Sequence, residues 1–563
     1  MAKEKLALIS VYNKTGIEDF AKRLVEMGWK IISSGGTAKV IAAAGVPVTD
    51  VAEITGLKPM LKHRVATLHP KIHGGLIADY EDPDQVKEME DLTWSMIDLA
   101  CIDFYPLAEA IAKPGATIES VVELTDIGGP AMSRSAAKGA RIIICRFEDR
   151  EAALSELERT GDVHKQTRQY LRARAEYEVA KYGGQSAVFH GQHTFSRATF
   201  SMSFGEAVVS IPKGENGAQS PATGYTAGGS YPLSPFKCEL IEGSPLGYCN
   251  WTDIDRLVQT VTHLGAAIQR NNPVRLLSRL TAPAIAVGVK HGNPCGAAVG
   301  VNPVQVARKM VMGDSLAIFG GWIMCNFPVT IEVAQALATY GIPRGGEFRK
   351  FDGIVAPDFA SNVSQYFERK GGRCRMMINP ALATHYAQLD ITPINRPLAG
   401  GDFIIQPNYT YVPSLHHGMD LQIYGANNHS ASFLRSAEFN LLLAWGIGAT
   451  SNSNTITICN QRMLLGNGVG QQARVWAAKL AVMRARDAGH SDLLRCSFAY
   501  SDSFFPFPDA AEVLIKAGVR GIFSTSGSKA KGGGDAALIE LCQKRGVLLY
   551  MIPDDVARGF CRH

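Results

Sequence analysis

The sequence predicts an α/β protein of more than one domain, on three observations. Its 563 residues exceed what one hydrophobic core usually serves. With 46% hydrophobic and 19% charged residues, its composition is that of an ordinary globular chain. Its N-terminal part alternates short apolar runs with helix-like segments, a rhythm that predicts a mostly parallel sheet covered by helices.

Residues 6–11 are apolar between polar flanks and predict a buried strand. Ile17, Phe20, Leu24 and Val25 then share one helical face, and Gly28 supplies a stop. Residues 29–33 predict a second strand, followed by Ser34-Gly35-Gly36-Thr37 and an apolar helix ending at Gly45. Residues 149–182 turn charged and helical. Residues 183–229, rich in Ser, Gly, Thr and Gln, predict a loop-rich linker. Beyond Leu240 the α/β pattern returns, with strands expected at 284–289 and 521–524 and helices at 331–339 and 510–517. No short-period repeat, heptad array or low-complexity tract is visible. The expected division is a first domain over 1–150, a helical connector over 151–200 and a second domain over 201–563.

The 57 basic residues exceed the 52 acidic ones by five without a long basic run, so neither nucleic acid nor a membrane surface is demanded as a partner. Eleven cysteines, an odd number with no Cys-x-x-Cys pair, fit a reducing compartment, and no stretch reaches membrane-spanning length. A cytoplasmic protein is expected.

Several loops have the chemistry of anion sites. Ser34-Gly35-Gly36-Thr37 lies between a strand and a helix, where free N–H groups and the helix dipole favour phosphate. Lys14-Thr15-Gly16 also opens a helix after a strand. Asp126-Ile127-Gly128-Gly129-Pro130 is followed by Arg134 and Lys138, four apart and on one expected helical face. Three such sites in one α/β domain point to a ribonucleotide phosphate. His69 and His73 have the spacing of some metal pairs, but Pro70 and Gly74-Gly75 argue against a regular helix there, and no metal site is expected.

In the second domain, Lys290-His291-Gly292-Asn293-Pro294-Cys295-Gly296 leaves an apolar strand for a polar turn. A lysine beside a histidine supplies a positive charge and a proton-transferring imidazole at one place. Cys295 is expected to pack rather than react. The glycine-rich stretch 466–470 feeds a helix carrying Arg474, a fork for an anion. Asn454 precedes it, and Asp502 stands before the aromatic run of Phe504, Phe505 and Phe507.

Taken in order, these segments resemble the bifunctional 5-aminoimidazole-4-carboxamide ribonucleotide (AICAR) transformylase/IMP cyclohydrolase family. The resemblance runs through Leu8-Ile9-Ser10-Val11, Lys14-Thr15-Gly16, Ser34-Gly35-Gly36-Thr37-Ala38-Lys39, Arg64-Val65-Ala66-Thr67-Leu68-His69-Pro70 and Asp126-Ile127-Gly128-Gly129-Pro130. It continues through 290–296, Phe319-Gly320-Gly321, 352–357, 466–474, 501–507 and the ending Phe560-Cys561-Arg562-His563. It implies an N-terminal methylglyoxal-synthase-like parallel-sheet domain fused to a C-terminal transformylase domain of two cytidine-deaminase-like α/β layers without the zinc. It also implies a homodimer, with 10-formyltetrahydrofolate as co-substrate and no tightly bound cofactor, and leaves room for a monovalent cation.

By position, the resemblance makes His291 the proton-transfer group and Lys290 its charged partner, with Asn454 and Asp502 orienting the substrates. Phe319, Gly320 and Arg474 fall at substrate-binding positions. In the first domain Ser10, Lys14, Ser34, Gly36, Thr37, Arg64, Thr67, Gly128 and Gly129 fall at ribonucleotide-binding positions, and Tyr105, Asp126 and Lys138 at positions implicated in ring closure. Two departures stand out. The family pattern Arg-Val-Lys-Thr-Leu-His-Pro has Ala66 in place of its lysine, which predicts weak or absent closure unless Lys62 or Lys71 substitutes. Pro212 replaces an arginine associated with the nucleotide phosphate, and the neighbouring Lys213 lacks arginine's fixed fork. The alternative is a monofunctional transformylase whose first domain binds nucleotide without acting on it.

Overall fold

The computed structural model describes residues 4–58, 60–61, 65–192, 206–226, 229–271, 282–342, 346–415, 420–529 and 534–561. The chain divides into two compact units, Met1–Glu206 and Ala207–His563.

The first unit is built on β1 (Lys5–Ser10), β2 (Trp29–Ser33), β3 (Thr49–Asp50), β4 (Leu99–Ile102) and β5 (Ile142–Ile144). They lie in the order β3-β2-β1-β4-β5, every pair parallel. Helices cover both faces, which is why the strands are continuous apolar runs. On β1, Ala7 and Ile9 enter one core cluster and Leu8 the other. Strand order reverses between β1 and β4, and in such sheets the crevice beyond the strand C-termini at the reversal holds ligands. Ser10 ends β1 and Asp103 follows β4, both at that crevice.

Three expectations need correcting. The arm expected as a separate connector belongs to this unit: Leu154, Leu157 and Leu171 are buried in one of its clusters and Ala175 in the other. The helix Lys165–Gln192 also runs straight through Gly183-Gly184, where a linker was expected to begin. Tyr182 and Phe189 are buried with Leu107 and Val121, and this packing outweighs a glycine cost of about 1 kcal/mol each. Residues 193–205 of the expected linker lie outside the described residues. Third, Pro70 opens a regular helix, Pro70–Ile77, rather than preventing one, because at the first helical position its missing N–H has no intrahelical partner to lose.

The second unit contains β6 (Glu206–Ile211, its first residue closing the first unit) and β7 (Ala222–Thr226), which pair with each other. The next strands are β8 (Glu239–Glu242), β9 (Ala284–Lys290), β10 (Asn293–Gly300), β11 (Trp322–Cys325), β12 (Gly353–Ala356) and β13 (Arg375–Ile378). A two-stranded ribbon of β14 (Ile394–Pro397) and β15 (Phe403–Gln406) comes before β16 (Gln422–Tyr424), β17 (Ile456–Asn460) and β18 (Met463–Gly468). Last are β19 (Ser497–Ser501), β20 (Val519–Ser526) and β21 (Leu548–Pro553).

Twelve of these form one sheet, β16-β21-β20-β19-β17-β18-β10-β9-β11-β12-β13-β8. Read outward from the β10–β18 seam, both directions repeat one plan. An antiparallel hairpin comes first (β10-β9, β18-β17), joined antiparallel to a parallel trio (β11-β12-β13, β19-β20-β21), with an antiparallel strand at the rim (β8, β16). Each half also places a long buried helix before its hairpin, Tyr248–Asn271 and Ala431–Gly448, and the two helices pack on each other. They cover one face with Ile285, Val287 and Val289. The other face is covered by helices that include Pro303–Val311, Ile331–Thr339 and Arg474–Asp487. No described helix is long and apolar enough to cross a membrane.

Candidate active site

Lys290 ends β9 and Asn293 begins β10, leaving His291-Gly292 as a two-residue hairpin turn. Both turn residues have positive φ, 53° and 69°, the geometry that matches the twist of the flanking strands. The turn exposes His291 while Lys290 stays half-buried. The Lys290 ammonium donates to the Phe319 carbonyl at 2.6 Å, which joins the pair to Phe319-Gly320. Phe319 itself is 53% exposed, an open aromatic face beside the turn. From below, Asp253 of the long helix accepts the Gly292 N–H at 2.7 Å. Burial pushes the Asp253 carboxyl up, while the Gly292 N–H and the nearby His291 pull it down. Cys295 is buried, and desolvation raises its thiol to about 12, so it packs rather than reacts.

The second half of the sheet closes the site. Asn293 accepts the Asn452 N–H at 3.2 Å and so ties the turn to the loop before β17. Two residues on, Asn454 has both ends of its amide in use: Nδ2 donates to Gln471 O at 2.8 Å, and Oδ1 accepts from Arg474 at 2.8 Å. Asp502 is fully buried, pairs with Arg474 and accepts the Thr455 N–H at 3.0 Å. Arg474 donates also to Ser501 Oγ at 2.7 Å. These three residues form a brace. The aromatic patch expected beside Asp502 is divided, Phe505 being buried and Phe507 exposed.

Within the glycine-rich stretch, residues 466–468 are strand rather than loop. Gly466 and Gly468 belong to β18, and a Cβ on them would lie 2.1 Å from Ala481 O and 2.0 Å from Ala477 O. The glycines let the helix Arg474–Asp487 lie directly on the strand.

In the first unit the crevice at the sheet reversal gathers most of the expected residues. The Lys14 ammonium donates to Val11 O at 3.2 Å and lies along Gly36, where a Cβ would meet Lys14 Cε at 3.3 Å. Thr37 is buried and bonded both ways to Val11, pinning the start of the helix Gly35–Ala43 to the end of β1. Ser34 stands at the N-cap position of that helix in extended conformation, its hydroxyl making no capping bond. Across the crevice, Asp126 accepts the Gly129 N–H at 3.1 Å, and burial raises its carboxyl against the pull of the Gly129 and Tyr105 N–H groups. Thr67 Oγ1 would lie 2.8 Å from a Cβ on Gly128. Tyr105 is exposed and meets Tyr12 edge-on at 5.6 Å. Arg64 lies outside the described residues.

Lys138 lies at the far end of the helix that Gly128 begins. Gly128 opens an 11-residue helix and Lys138 closes it, which at 1.5 Å per residue sets them roughly 15 Å apart. His69 caps the helix it precedes by accepting the Lys71 N–H at 3.1 Å, and His73 bonds Ser135 at 2.8 Å. No group of three or more His, Cys, Asp or Glu among the described residues is arranged to hold a metal ion.

Two family models match the chain. The model described as AICARFT/IMPCHase bienzyme covers residues 136–484, and the one described as MGS-like domain covers residues 16–131. The chain belongs to the AICARFT/IMPCHase bienzyme family. Among solved structures, the crystal structure of ForH is 29% identical and covers 33% of this chain and 100% of its own, at a TM-score of 0.31. The bienzyme family is one of purine biosynthesis, joining formyl transfer to cyclisation.

Within the bienzyme pattern, the two departures acquire surroundings. Ala66 stands beside buried Thr67, and the Lys71 ammonium is engaged at Ile54 O at 3.1 Å. Lys62 lies outside the described residues. Lys213, next to Pro212, is exposed. Asn293 was expected only as part of the polar turn, and Asp253, Asp103 and Arg150 were not expected at all. The last two brace the 11–15 loop, Arg150 donating to Asp103 at 2.9 Å and to Asn13 O at 3.0 Å. A signal existed for two of them: Asp253 is an acid inside an apolar helix, and Asp103 stands just beyond a strand.

Proposed function

We propose that the second unit transfers the formyl group of 10-formyltetrahydrofolate to the amine of AICAR, working as a homodimer. The observation that carries this reading is the exposed His291 presented on a rigid turn beside a fixed Lys290 ammonium. The amine lone pair is delocalised into the imidazole ring, so attack on the formyl carbon needs a base. His291 takes the amine proton as the new C–N bond forms. The carbonyl oxygen then carries negative charge, which Lys290 stabilises with the donors left over from its bond to Phe319. Collapse breaks the bond from carbon to the folate nitrogen, which leaves with a proton. Asn454, Arg474 and Asp502 act as positioning residues that hold the loop facing the turn.

The first unit, in this reading, holds the ribonucleotide at the β1–β4 crevice through Lys14, Gly36, Thr67 and Gly128, and the formylated product loses water there to close to IMP. A second reading is favoured by Ala66 and by the engaged Lys71: the first unit binds the nucleotide and closure is slow or absent. A two-step assay separates these. His291→Ala is expected to lower tetrahydrofolate release about 10²–10⁴-fold. Unchanged release would refute the transfer mechanism. IMP formation from supplied formyl-AICAR at a rate matching transfer would refute slow closure.

A further inference from the structure

The duplicated sheet has a second hairpin turn, Gln461-Arg462 between β17 and β18, again with both φ positive at 49° and 64°. A cavity of about 480 Å³ opens beside it, lined among others by Lys309, Ser432, Arg435, Ser436, Asn440 and Arg462. Its construction mirrors that of the first site. There, a turn of the first half is bonded to Asn452 of the second; here, a turn of the second half is bonded to Lys309 of the first. The supporting bond is repeated as well, since the Arg462 N–H donates to Asn440 of the long helix at 2.9 Å, as Gly292 does to Asp253.

Three cations line this cavity, and no carboxylate among the described residues forms an ion pair with any of them. Lys309 is fixed by a 2.6 Å bond to Gln461 O, and the Arg462 guanidinium lies over the Phe439 ring at 4.9 Å. Burial and the neighbouring Arg462 push the Lys309 ammonium down. Ser436 Oγ accepts from Asn440 Nδ2 at 3.4 Å, which leaves its O–H to donate. Gathered positive charge in a partly enclosed space repels itself, and an entering anion relieves that repulsion. Two guanidinium forks, an ammonium and hydroxyl donors suit the oxygens of a phosphate ester. The space exceeds a bare phosphate, while the turn carries neither lysine nor histidine for proton transfer.

We propose that this cavity is a second, non-catalytic site that binds a phosphorylated small molecule. The test is calorimetric titration of the full chain with inorganic pyrophosphate and, separately, with a nucleoside monophosphate. Wild type is expected to show one more saturable site for at least one probe than Arg435→Gln/Arg462→Gln, or an affinity at that site at least about tenfold higher. The single variant Arg435→Gln, at an exposed helical position, reports the same direction without risk to the fold. His291→Ala retains the extra site. Equal stoichiometry and affinity in wild type and both variants, for both probes, would overturn the proposal.

Discussion

The two hairpin turns of the large sheet share a backbone and differ in almost every side chain. Each has two residues of positive φ, and each is propped by an amide or carboxyl oxygen from a long helix. One carries Lys290-His291 over Asp253, the other Asn460-Gln461-Arg462 over Asn440. The fold thus supplies the same platform twice, and what it does is decided by which atoms stand on it. A turn of this kind constrains φ rather than chemistry, so it carries a histidine in one case and an arginine in the other.

The largest expected effect breaks the comparison outright. Converting the first turn to the residues of the second, Lys290→Asn with His291→Gln, is expected to lower formyl transfer about 10²–10⁴-fold in a steady-state assay. Stability should change by only about 0.5 kcal/mol, because both replacements already occupy the same conformation in the other turn. Next come the ion pairs of the two halves. Arg474→Met leaves the fully buried Asp502 unpaired and should cost about 3–5 kcal/mol in chemical denaturation. Arg369→Met in the first half breaks a pair with Asp352 whose side chains are 20% and 35% exposed, and about 1 kcal/mol or less is expected.

A smaller effect tests the close helix–strand approach. Gly466→Ala drives a Cβ to 2.1 Å from Ala481 O, and Gly296→Ala drives one to 2.5 Å from Met310 O. Each should cost about 1–3 kcal/mol, Gly466 the more, read as a shift in denaturation midpoint. The finest change is Asp253→Asn, which gives the first turn the support of the second. Because burial raises the Asp253 carboxyl, that group favours the folded state below its unfolded value, and the contribution disappears as pH rises through its folded value. The asparagine variant should therefore gain stability relative to wild type from acid to neutral pH. A gain that shrank with rising pH would reverse this account.

Much of the first unit was legible in its sequence, since strands buried on both faces are apolar runs with nothing else to mean. The helix through Gly183-Gly184 was not, because Tyr182 and Phe189 hold it from a distance that local propensity does not register. The duplication of the second unit was expected only through the resemblance, which implied two α/β layers: Lys290-His291-Gly292-Asn293 and Asn460-Gln461-Arg462-Met463 share no residue at matching positions, and their equivalence lies in dihedral angles and strand order. Asp502 and Arg474 were found as charged residues near a site, yet the sequence did not disclose that each would be spent on the other.

The seam between the halves is an antiparallel meeting of β10 and β18, with Ala298 opposite Met463 and Val299 N–H bonded to Arg462 O at 3.1 Å. A fragment holding either half alone would carry an open edge of unpaired N–H and C=O groups along a strand made for the protein interior. Such an edge recruits other strands. Each half expressed by itself should therefore precipitate or pair with its own copies, so that the chain cannot be divided at its own axis of symmetry.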